Sequence, residues 1–169
     1  GLSLLYGREL MIPIIGKDAF ALYASFAKEL HNYIGPFFAV SLVLQLLKWL
    51  KYNFPTFTDI VWFLKGGGML GSIHPSAGRM NGGEKVWYWI LLILGVVIIG
   101  SGFILDFPGQ IPWYGQTREQ IQIAHLLHSA SAIILIAVSF GHIYIGTVGS
   151  EGSIEGMTTG RVDTEWAKQ

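Results

Sequence analysis

Cysteine is absent from this 169-residue chain. That excludes disulfides, cysteine-ligated iron–sulfur clusters and the C-x-x-C-H attachment of a c-type haem. Any redox metal held here must rest on histidine, methionine or carboxylate. Charge is scarce as well, at 13% of residues, roughly half the share of a soluble domain. The 11 basic and 11 acidic residues cancel, so nucleic acid is not an expected partner. An initiator Met and a signal-peptide pattern are also missing. Residues 1–7, GLSLLYG, read as the tail of a hydrophobic helix whose start lies outside the sequence, as in a truncated or processed chain.

Apolar length stands in their place. Hydrophobic residues form 51% of the chain. No formal charge falls between Lys85 and Asp106, between Glu119 and Glu151, or over residues 30–47. A bilayer-spanning helix needs about 20 mostly apolar residues. Spans are therefore expected at 31–50, 86–105 and 120–148, with 1–7 as the end of an earlier one. Residues 17–29 place Phe20, Tyr23 and Ala27 at helical spacing between charged ends. They fit either an interfacial amphipathic helix or a leading turn of the next span. Pro36 lies near the start of that span, where a missing amide is tolerated. Lys48, Trp49, Lys51 and Tyr52 mark its far interface. The following loop holds an apolar turn at 60–64, a Gly66-Gly67-Gly68 break and the motif MNGGEK. No internal repeat or second soluble domain is evident, so residues 1–169 read as one membrane domain.

Basic residues suggest an orientation. The loop between the spans at 31–50 and 86–105 holds Lys48, Lys51, Lys65, Arg79 and Lys85, and the tail adds Arg161 and Lys168. The other side has Arg8, Lys17, Lys28 and Arg118. The positive-inside rule then puts the MNGGEK loop and the C-terminus in the cytoplasm.

The five histidines are His31, His74, His125, His128 and His142. Ionisable residues inside a membrane are costly and default to functional hypotheses. The competing reading is interhelical hydrogen bonding. His128 and His142 are fourteen residues apart, about 40° short of whole turns and roughly 21 Å along an axis. Two rings on one face, one near each membrane surface, suit two stacked haems. The spans opening at His31 and near His128 run in the same direction, so these two histidines meet at one side and can share an iron. His142 needs a partner that no visible span offers; the natural donor is the start of the missing first helix. Small residues at Gly35, Ser129 to Ala132, Gly141, Gly95, Gly100 and Gly102 give room for a macrocycle, or for plain helix packing. Two histidines saturate a haem iron, which favours electron transfer over oxygen activation. His125 reads as a residue behind the ligand or at an interface. His74, before Pro75, reads as an ordinary loop histidine, with a cofactor or proton path as the alternative.

The string LLHSASAIILIAVSFGHIYIGTVGSEGSIEGMTTGRV, followed by WAK, resembles the last span and tail of the gamma subunit of membrane-bound formate dehydrogenases. KELHNYIGPFF resembles the start of that family's second helix, and GLSLLYG the end of its first. The resemblance implies an all-α transmembrane four-helix bundle with two b haems. It matches His31 and His128 to the ligands of a periplasmic-side haem and His142 to one ligand of a cytoplasmic-side haem. The fourth ligand belongs to the absent helix. A quinone pocket is implied beside the second haem, with Asn81, Gly82, Glu84 and His142 around it. Glu84 stands where the family often has glutamine, which suits a proton acceptor. Gly82 and Gly83 would let the backbone approach a flat ligand, Asn81 would donate to a carbonyl, and a carboxylate would deliver protons. Otherwise N-G-G is a turn before a helix whose N-terminus favours Glu84.

The resemblance further implies an iron–sulfur beta subunit as electron donor and a molybdenum or tungsten alpha subunit that oxidises formate. Menaquinone or ubiquinone would be the acceptor, at a bacterial inner membrane. The chain itself would hold no formate-oxidising site. The rival readings are the cytochrome b subunit of a membrane-bound hydrogenase, and a haem-free anchor or transporter whose histidines relay protons.

Overall fold

The computed structural model describes residues 3, 6–67, 79–149 and 152–161; Gly68, His74 and the W-A-K motif at 166–168 lie outside the described residues. Every regular element among them is helical. The helices are α1 (Lys17–Trp49), α2 (Phe57–Leu64), α3 (Gly82–Asp106), α4 (Arg118–Tyr144) and α5 (Ser153–Thr159). A π turn, Gly7–Met11, and a single α turn, Ile12–Ile15, precede α1. The 3-10 turn Leu50–Tyr52 and the π turn Ile145–Gly149 extend α1 and α4.

Among the described residues three stretches are long and apolar enough to cross a bilayer: Lys17–Tyr52, Gly82–Asp106 and Arg118–Gly149, with mean hydropathies of 1.5, 2.5 and 1.9. Among the described apolar residues only Tyr88 and Ala124 are buried, whereas Phe26, Phe37, Leu44, Val96, Leu126 and Phe140 are mostly exposed. In water that arrangement would forfeit the main driving force of folding. In lipid it forfeits nothing, because the acyl chains are as apolar as leucine. The chain is an all-α, multi-pass membrane protein.

α1 departs from the span expected at 31–50. It begins at Lys17, so residues 17–29 are its leading turns. Gly16, at φ +81°, takes the left-handed conformation that ends the preceding turn. A helix of 33 residues is about 50 Å long, roughly 20 Å more than the hydrocarbon core. Lys17, Asp18, Lys28 and Glu29 therefore need not enter it. Pro36 lies well inside the helix rather than near its start. Its ring removes the amide that would bond the Asn32 carbonyl.

The chain packs as two compact units, Gly1–Gln45 with Ile99–Ser129, and Leu46–Ile98 with Ala130–Gln169. In the first, Gly7 lies against the Phe20 ring with no room for a Cβ. The α3–α4 connector turns at Gly109 and Gly115, both at positive φ. Gln116 Nε2 braces it by donating to the carbonyls of Gly109 (3.1 Å) and Ile111 (2.7 Å). Thr117 and Gln120 then cap α4 reciprocally: Gln120 N donates to Thr117 Oγ1 at 3.2 Å, and Thr117 N to Gln120 Oε1 at 3.3 Å.

In the second unit, polar bonds fasten α3 to its neighbours. Tyr88 Oη donates to the Leu46 carbonyl at 2.8 Å, and Trp89 Nε1 to the Asn53 carbonyl at 2.9 Å. Fully buried Asn53 donates from Nδ2 to the Trp49 carbonyl at 2.9 Å. The tail motif folds as α5 between Gly152 and Gly160, both in the left-handed region.

An ion pair joins α2 to α3. Lys85 Nζ lies 2.8 Å from Asp59 Oδ2, both side chains nearly buried. The same carboxylate accepts from the Thr56 amide (2.6 Å) and hydroxyl (2.9 Å). Burial works to raise the Asp59 pKa, but the bonds from Lys85 and Thr56 and the lysine charge outweigh it and hold the carboxyl below its ordinary 3.8. A depressed carboxyl stabilises fully above its unfolded pKa and loses that contribution as pH falls through its native value. The α2–α3 attachment is therefore expected to persist from pH 7 to pH 5 and to loosen only below 3.8. Fluorescence of a variant whose one tryptophan is Trp62 checks this; a transition near neutral pH would contradict it.

Candidate functional site

In the first unit, α1 carries His31 and α4 carries His128. Their ring centroids are 6.0 Å apart and their planes nearly perpendicular, at 85°. An imidazole nitrogen binds a transition-metal ion at about 2 Å. Two imidazoles facing across one ion then have centroids roughly 6 Å apart, allowing about 1 Å from nitrogen to ring centre. Two bare rings in edge contact fall in the same range, so the distance alone does not decide.

The surroundings of His128 add to it. Ser101 Oγ, on α3, lies 3.2 Å from His128 Nδ1. Once Nδ1 is committed to a hydroxyl, Nε2 is the nitrogen suited to a metal. Beside Gly35, one turn after His31, a Cβ would meet nothing within 4 Å. Among the described residues no three His, Asp or Glu side chains converge as a metal site. A metal between His31 and His128 must bring its own equatorial ligands, as a porphyrin does. The two residues present fit a haem.

His125 is exposed on α4. The structure brings His31 to His128 and not to His125.

In the second unit, His142 stacks flat on Trp87 of α3, with centroids 4.6 Å apart and planes 9° from parallel. A stack covers the ring face and leaves both nitrogens, at the ring edge, directed sideways. His142 thus keeps the donor atom a haem ligand needs, with its ring plane set by the indole.

Asn81 and Glu84 form the cap of α3. Glu84 N donates to Asn81 Oδ1 at 2.9 Å, and Asn81 N to Glu84 Oε2 at 2.8 Å. This reciprocal box satisfies two amides at the helix start. Both residues therefore have a structural task beside the quinone contact expected of them. Asn81 retains its Nδ2 donor, which has no partner among the described residues. Gly82 and Gly83 do admit flat groups closely, but these are the rings of α2. A Cβ on Gly82 would lie 2.9 Å from the Phe63 ring and 3.0 Å from the Trp62 ring. One on Gly83 would lie 3.2 Å from Trp62.

Sequence reasoning missed Ser101, the Trp87 stack and the Lys85–Asp59 pair. Ser101 carried a faint signal, as a hydroxyl beside Gly102 in an otherwise apolar span. Trp87 stands among three aromatics at the entry of its span, and nothing in that run signals a stack on His142.

Residues 4–160 match the pattern of the prokaryotic cytochrome b561 family. The chain is 32% identical over 150 residues to the cytochrome b556(Fdn) subunit of the nitrate-inducible formate dehydrogenase of Escherichia coli strain K12, covering 83% of this chain and 64% of that one. It is 29% identical over 144 residues to the cytochrome b556(fdo) subunit of a formate dehydrogenase of the same strain, covering 85% and 67%. It is 35% identical over 149 residues to the formate dehydrogenase cytochrome b556 subunit of Haemophilus influenzae, covering 85% and 60%. The chain spans just under two thirds of the first of these relatives.

Proposed function

Because the chain belongs to the prokaryotic cytochrome b561 family, we propose that it is the haem b electron-transfer subunit of a formate dehydrogenase, connecting an iron–sulfur partner to membrane quinone. The observation that carries this reading is the pair His31–His128, at a spacing that one iron would fit, together with Ser101 at Nδ1 of His128. Two b haems, when bound, supply one-electron carriage from the iron–sulfur partner on the periplasmic side towards quinone on the cytoplasmic side. His31 and His128 would hold the first, and His142 would supply one ligand to the second.

The chain's own groups set the rest. A haem held by both His31 and His128 would keep no protein-side ligand position open, which would suit electron transfer rather than oxygen chemistry. Trp87 orients the His142 ring. Glu84, exposed at the start of α3, is placed to take a proton from the aqueous side and release it to a reduced quinone. Asn81 Nδ2 is the donor that would hold a quinone carbonyl. The excess of Lys and Arg in the loop before α3 supports a cytoplasmic location for this side, at a bacterial inner membrane. The oxidation of formate itself belongs to a molybdenum or tungsten subunit.

The purified complex is expected to show a low-spin b-type signal in its reduced-minus-oxidised spectrum, appearing on addition of formate and discharged by quinone. Reduction by hydrogen and not formate would point to a hydrogenase subunit. A spectrum without b haem would leave only a membrane anchor or proton-relaying transporter.

A further inference from the structure

A buried serine lies beside His128. Ser101 is 4% exposed, in the apolar length of α3. Its Oγ lies 3.2 Å from His128 Nδ1. The next residue, Gly102, lies so close to the same ring that a Cβ there would stand 3.1 Å from its Cε1 and 3.4 Å from its Nδ1. Contacts that tight require the neighbour to give way, so glycine is what lets α3 reach the imidazole edge. The two adjacent residues thus act on one ring: Gly102 admits it and Ser101 meets its nitrogen. The His31 ring has no hydrogen-bond partner among the described residues, so the two members of the pair are held differently.

We propose that Ser101, seated by Gly102, is the positioning residue that fixes the tautomer of His128 and sets the reduction potential of the haem it holds. This rests on the reading that His128 is an axial ligand. With Nε2 on iron, Nδ1 carries the ring proton, and the ring donates it to Ser101 Oγ. Such a bond fixes ring orientation and makes the ligand more basic. A more basic imidazole gives more electron density to iron and favours the ferric over the ferrous state. The hydroxyl therefore holds the potential of this haem below the value a bare imidazole pair would give. If Ser101 served packing alone, its loss would leave the potential unchanged.

The test is redox titration of the purified complex, with haem content measured beside it, for Ser101→Ala and Ser101→Thr. Loss of one hydrogen bond, worth about 1 kcal/mol, should change the reduction equilibrium of one haem about fivefold. At 59 mV per tenfold for a one-electron couple, that is a rise of roughly 40 mV. The second haem should not move. Ser101→Thr, which keeps the hydroxyl, should restore the parent value. Full haem content with both potentials unmoved in Ser101→Ala overturns the proposal. Should Ser101→Ala lose haem instead, Ser101→Thr decides: retention at the parent potential supports the assignment, and loss there too overturns it. Failure of the ligand reading looks different, as full haem content in His128→Ala.

Discussion

Membranes carrying His128→Ala will hold one b haem fewer than the parent, while the second haem keeps its spectrum. The imidazoles of His31 and His128 stand 6.0 Å apart, so removing one leaves an iron with a single protein ligand. Loss of a group that merely supports a metal ligand lowers affinity about 10- to 100-fold; loss of the ligand itself should cost at least that. His31→Ala should give the same phenotype, and the double variant should be no worse than either, because the two act as one unit. His125→Ala is the control. That residue is exposed on the same helix, three positions away, and its removal should leave both haems in place. Pyridine haemochrome counts on the purified complexes measure all four. Two haems in His128→Ala, or loss of one in His125→Ala, would assign the ligand differently.

His142→Ala is expected to stop electron delivery to quinone, by about 100-fold or more, while the haem of the His31–His128 pair stays reducible by formate. The reasoning is local to the second unit. The His142 ring lies flat against Trp87, and Trp87 follows the Asn81–Glu84 cap by one helical turn. The proposed haem ligand on α4 therefore packs against a residue one turn from the polar start of α3. Removing the imidazole takes away the second haem and leaves the cap intact, since neither hydrogen bond of the cap involves it. Formate-driven reduction of the remaining haem, recorded optically beside quinone reduction, separates the two steps. Normal quinone turnover in His142→Ala would place the acceptor site elsewhere.

Much of the fold was legible because lipid imposes simple rules. Long uncharged runs have only one way to satisfy their backbone in a bilayer, which is a helix. The expected spans at 86–105 and 120–148 accordingly lie within α3 and within Arg118–Gly149. The sequence left residues 17–29 open between an interfacial helix and leading turns of the next span; the structure has the second, because a helix can continue past the membrane surface as long as nothing breaks it. Pro36 is near the start of the apolar run but well inside the helix for the same reason.

The nearness of His31 and His128 was legible, and the residues packed around them were not. Spacing and span direction were enough to bring His31 and His128 together. The contact between Ser101 and His128 depends on the rotation of α3 about its own axis, which a nearly uniform apolar run does not encode. Asn81 and Glu84 show the opposite difficulty. N-x-x-E is both a capping box and a plausible ligand-binding motif, and residue types alone do not separate the two. The structure displays the cap directly, and the quinone role remains the proposal it adds to.

The decisive measurement is an experimental density map of the complex purified with its cofactors, at a resolution that shows side chains. The account expects a porphyrin between α1 and α4, its iron bound by His31 on one face and by Nε2 of His128 on the other. Density showing these two rings in direct contact, with no macrocycle between them, would contradict it.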